Sequence, residues 1–89
     1  MVNNDNILKF KNCFNELFGD SYSNNYLIEI EDTEYETVLS ANREGMLLLI
    51  KALLMLCEAN KEWSHYHLDE AGAAYKCNKP MVISLIKED

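Results

Sequence analysis

One stretch constrains this chain more than any other: "NREGMLLLIKALLMLCEAN", residues 42 to 60. A predominantly apolar stretch of this length is too long for a strand and reads as a helix. Asn42 suits the N-cap, because its side-chain oxygen can accept from a free backbone N–H of the first turn. Glu44 then stands where the helix dipole favours an anion. Asn60 suits the left-handed residue that closes a helix. The interior is apolar almost all round. Leu48, Lys51, Met55 and Glu58 come nearest to a solvent stripe, and two of those four are themselves apolar. A helix lying on one sheet needs only one apolar face. This one therefore requires a second neighbour: another helix, a second subunit or a partner. Lys51 interrupts the run, which is also shorter than the ~20 apolar residues that span a bilayer.

The nearest candidate neighbour is "DNILKFKNCFNELFG", residues 5 to 19. Ile7, Phe10, Phe14, Leu17 and Phe18 recur at helical spacing, with Asp5 as a possible N-cap and Gly19 as the stop. Strand patterns fall at 26 to 31 and 35 to 41, joined by "EDTE" into an antiparallel hairpin. A third strand pattern is "WSHYHLD", 63 to 69, and a ten-residue connection follows it. The last is 80 to 88, which opens on Pro80 and is apolar on both faces, as a central strand would be. The order α-β-β-α-β-β predicts an α+β two-layer sandwich: a four-stranded antiparallel sheet with helices on one face. Eighty-nine residues suit one domain. The reading is a helical extension over 1–22 and a ββαββ core over 23–89.

The net charge is −7, and no basic run occurs. Nucleic acid and acidic membrane surfaces are excluded as partners on that ground, since phosphates must be neutralised. An acidic domain instead attracts a basic protein partner. Three cysteines, Cys13, Cys57 and Cys77, make an odd set without CxxC spacing. They read as reduced thiols of a cytoplasmic protein. The start has no basic region followed by an apolar run, so no signal peptide is expected.

Two constellations could carry function. Glu29, Glu31, Asp32, Glu34 and Glu36 crowd into the hairpin. They form either a solvated edge or an acidic docking edge. In "WSHYHLDE", alternation puts Trp63, His65, His67 and Asp69 on one strand face. Two imidazoles and a carboxylate suit a divalent metal. A straight strand, however, spreads His65 and Asp69 about 13 Å apart, so a third ligand would have to come from elsewhere, such as Glu70 or Cys77. Acid–base catalysis needs a pocket and usually a nucleophile, and the chain has no GxSxG and no phosphate-binding Gly-rich loop. The remaining readings are ordinary strand residues or a binding surface, where Trp is enriched at hot spots. No cofactor is expected.

These residues also carry a resemblance. Asn42, Arg43, Glu44 and Gly45 open the apolar helix; His65, His67, Leu68 and Asp69 form a His-x-His-Leu-Asp strand; Pro80 precedes Val82 and Ile83. Over roughly residues 38 to 87 the chain resembles immunity protein family 32, small immunity proteins of bacterial polymorphic toxin systems. Met46 stands where that pattern has Leu, and Ala41 where it usually has Gly. The resemblance implies a non-catalytic protein that binds and neutralises a cognate toxin, a basic one if charge is the guide. The docking candidates are the acidic hairpin and the face of Trp63, His65 and His67. The alternatives are a small metal-binding domain using His65, His67 and Asp69, and a structural homodimer burying Leu48 and Met55. Monomer and homodimer both stay open.

Overall fold

The computed structural model describes residues 2–21, 24–61, 63–69, 76–77 and 79–86. Its elements are α1 (Asn4–Phe18), β1 (Ile28–Asp32), β2 (Thr37–Ala41), α2 (Arg43–Ala59), β3 (His65–Leu68), β4 (Lys76–Cys77) and β5 (Met81–Ser84). The α+β class is as expected. The single four-stranded sheet and the order α-β-β-α-β-β are not. β1 and β2 pair antiparallel from Ile28↔Ala41 to Asp32↔Thr37, and β4 joins the other edge of β1 in parallel, giving the order β2-β1-β4. β3 and β5 form a separate antiparallel pair, from His65↔Ser84 to Leu68↔Met81. The physical reason is local: the free edge of β1 is taken by a two-residue strand from the stretch read as a connection. Among the described residues β5 pairs only with β3 and is no central strand; residues 87 and 88 of the expected strand lie outside the described ones.

Both sheets close on one core. Ile28, Ile30, Leu49 and Leu68 are buried together, with Leu39, Tyr66, Cys77, Met81 and Ile83 packed against them. Each fully buried aliphatic side chain of this kind contributes about 1.5–3 kcal/mol. Alternation sets the faces. Ile28 and Ile30 point inward while Glu29 and Glu31 point out. Tyr66 and Leu68 point inward while His65 and His67 point out.

α2 lays Gly45, Leu49, Ala52 and Leu56 inward, one step per turn. α1 packs on α2, as its phenylalanine face suggested, and buries Phe14. Its N-cap is Asn3, not Asp5: the Asn3 side-chain oxygen accepts from the Asp5 backbone N–H at 2.7 Å. Gly19 ends it at φ 54, a left-handed conformation that suits a residue without Cβ. The expected solvent stripe of α2 does not exist as such. Lys51 donates to Asn15 Oδ1 at 2.6 Å, and Glu58 pairs with Lys11, so both polar groups meet α1. Leu48 packs against the core.

The start of α2 is tied to the strand before it. Asn42 Oδ1 accepts from Gly45 N at 2.8 Å and from Leu27 N at 2.9 Å. Asn42 Nδ2 donates to the Asn25 carbonyl at 2.9 Å, and Asn42 N to the Leu27 carbonyl at 3.1 Å. One side chain thus caps the helix and holds the chain entering β1. The price of this closeness is steric. A Cβ on Gly45 would collide with the Leu27 carbonyl oxygen and stand 3.0 Å from Ala41 Cβ.

Candidate functional site

The acidic hairpin is built so that its charges do not oppose each other across the ladder. Glu29 faces Ser40, Glu31 faces Val38 and Asp32 faces Thr37. Opposite like charges destabilise a strand pair, and none occurs between these strands. The turn is closed by Thr33, whose N–H and hydroxyl each donate to the Glu36 carbonyl at 2.7 Å. That leaves Glu34, Tyr35 and Glu36 exposed at the tip, with Tyr35 90% exposed. Asp32 differs from its neighbours. The Thr37 hydroxyl donates to it at 2.7 Å and holds its carboxyl below the ordinary range, against a smaller desolvation penalty; Lys79 adds a pull from 3.5 Å. Ionised Asp32 therefore favours the fold at neutral pH, and that contribution is lost as pH falls through its lowered pKa.

The second candidate lies at the start of β3. Trp63 is 75% exposed and adopts φ 70, a left-handed conformation costly for a bulky residue. Hydrogen bonds on either side hold it there: Ser64 N donates to the Lys61 carbonyl at 3.1 Å and Leu85 N to the Ser64 carbonyl at 2.8 Å. His65 Nδ1 lies 2.9 Å from the Trp63 carbonyl. A carbonyl only accepts, so Nδ1 is the donor in this contact. The His65 and His67 rings meet edge to face, with centroids 4.8 Å apart.

The structure thus brings His65 and His67 together, as alternation required. Asp69 does not join them: among the described residues, no group of three or more His, Cys, Asp or Glu comes together as a metal site. Cys77 sits against the core, and Glu70 lies outside the described residues.

A feature the sequence reading missed adjoins this strand. An open groove of about 440 Å³ runs between the C-terminal half of α2 and Trp63–Tyr66. Met55 and Ala59 form one wall; Trp63, His65 and Tyr66 form the other. Met55 is exposed because it flanks this groove, not because it belongs to a solvent stripe. The available signal was the Ala52, Met55, Ala59 spacing, in which small residues leave room beside a strand. Among the described residues no helix is long and apolar enough to cross a membrane.

The family motif divides along the same lines. Asn42 and Gly45 serve the joint between β1 and α2, and Glu44 stands in the first helical turn; Arg43 is exposed. His65 and His67 lie on the surface. The family model described as immunity protein 32 matches residues 36–85, more than half of the chain, and leaves α1 outside. No curated protein and no solved structure matches.

Proposed function

The chain belongs to the immunity protein 32 family, and from that premise we propose that it binds a cognate bacterial toxin and neutralises it by occlusion, without catalysis of its own. The observation that carries this reading is the family match over residues 36–85. The charge of −7 supports a basic toxin, because complementary fields speed encounter and fix orientation. Two surfaces support the docking. One is the hairpin face of Glu29 and Glu31, continued by Glu34, Tyr35 and Glu36 at the tip. The other is the exposed Trp63 with His65 and His67, beside an apolar groove that can seat a side chain of the partner.

Co-expression with the product of the neighbouring gene tests the reading. The expected result is that the neighbour is toxic alone, harmless with this chain, and co-purifies with it. A neighbour without toxicity and without any co-purifying protein overturns it. Within such a complex, the double charge reversal Glu29→Lys with Glu31→Lys is expected to weaken binding about 10–100-fold at low salt, mostly through the association rate. The effect shrinks as added salt shortens the screening length. Surface-binding kinetics over a salt series measure both; unchanged association would remove the hairpin from the interface.

A further inference from the structure

The geometry points to a two-histidine chelate on the surface of β3, in which His65 and His67 hold one divalent ion of the nickel, copper and zinc group. Imidazole suits these metals, whereas magnesium and calcium take oxygen donors. Residues i and i+2 of a strand project from one face, roughly 7 Å apart along the chain. Here the two side chains lean together, and their ring centres are 4.8 Å apart. A metal about 2.1 Å from a ring nitrogen stands roughly 3.2 Å from that ring's centre. Two rings that meet one ion at about 100°, between the octahedral and tetrahedral angles, then have centres roughly 4.9 Å apart. The observed spacing is therefore that of a shared ion.

His65 is already oriented for the task. Its Nδ1 lies 2.9 Å from the Trp63 carbonyl, and donation to a backbone carbonyl is the support that metal-ligating imidazoles usually have. The nitrogen left for a metal is Nε2. The rings stand at 87° to each other, edge to face, so convergence needs one adjustment: a turn of the His67 ring about χ2. That torsion is broad, and His67 is exposed. The turn hardly moves the ring centre, because the Cβ–Cγ axis passes close to it. Across the ladder, Ser84 faces His65 and Val82 faces His67. Neither carries a charge that would repel a cation, and the net charge of −7 attracts one. Asp69, the third ligand expected from the sequence, does not join the pair. The remaining positions of the ion fall to water or to a donor atom of a bound molecule. With half the ligands of a structural zinc site, the dissociation constant should be on the order of 10 µM. This inference does not rest on the toxin reading, and its test uses the chain alone.

Calorimetric titration of the untagged chain with zinc chloride at neutral pH is expected to show a single site. His65→Gln and His67→Gln change exposed residues and should keep the far-UV dichroism of the parent. Each is expected to weaken zinc binding about tenfold or more, because a lone imidazole loses the chelate. The chain has two histidines, so its two imidazole Cε1–H resonances report this site alone, and both are expected to shift together as zinc is added. The exposed thiols of Cys13 and Cys57 are the competing zinc donors. Zinc that binds without moving either resonance sits elsewhere and overturns the proposal. So does the lack of saturable binding up to about 1 mM zinc, or a single variant that holds zinc as tightly as the parent.

Discussion

Gly45→Ala is expected to destabilise the protein by about 2 kcal/mol, reversing the usual sign for this change in a helix, where alanine is favoured by roughly 1 kcal/mol. The reason is the approach of the Leu27 carbonyl to the Gly45 Cα, which leaves no room for a methyl group. That carbonyl cannot swing away freely, because it accepts the Asn42 N–H while Leu27 N donates to the Asn42 side chain. Overpacking against fixed backbone costs typically 1–3 kcal/mol, and this position has backbone on one side and the Ala41 Cβ on another. For a domain of this size the melting temperature should fall by about 10 °C. Thermal and urea unfolding measure it; a variant as stable as the parent would show that helix and strand can part at this joint.

Asn42→Ala is expected to cost about as much, near 2–3 kcal/mol, through a different loss. It removes the N-cap acceptor for Gly45 N, the acceptor for Leu27 N and the donor to the Asn25 carbonyl together. Asn42→Asp separates these contributions. It keeps both acceptor roles and adds an anion that the helix N-terminus favours, but sets a carboxylate against the Asn25 carbonyl. Its stability should fall between parent and alanine variant. Hydrogen exchange should report the loss directly, with the Leu27 and Gly45 amides losing protection together in Asn42→Ala. Full protection at Leu27 would mean that β1 is held without this side chain.

These two residues also mark what was legible in the sequence. The caps of α2 at Asn42 and Asn60 were readable, because capping needs only the identity of one residue and the pattern beside it. The second task of Asn42, reaching back to residues 25 and 27, was not, since it depends on the two chains meeting in space. Alternation likewise set His65 and His67 on one strand face, and the structure turns that face outward. It could not foresee β4, whose two residues are too few to alternate and whose partner β1 lies far off in the chain. Nor could periodicity orient α2. A helix apolar almost all round offers no phase, and its two interior polar residues, Lys51 and Glu58, meet α1. The candidate site was half visible: the residues of the hairpin and of β3 could be named, but the groove wall at Met55 and Ala59 appears only once helix and strand are set side by side.

The exposed indole beside that groove has an optical consequence. Trp63 is the sole tryptophan of the chain, and at 75% exposure its emission should resemble that of a water-bathed indole. A toxin that covers it would shift the emission to the blue and shield it from iodide. A partner confined to the tip of the acidic hairpin, which does not contain Trp63, would leave both unchanged. One native fluorophore can therefore report which of the two surfaces a given partner occupies, without a label and without altering the protein.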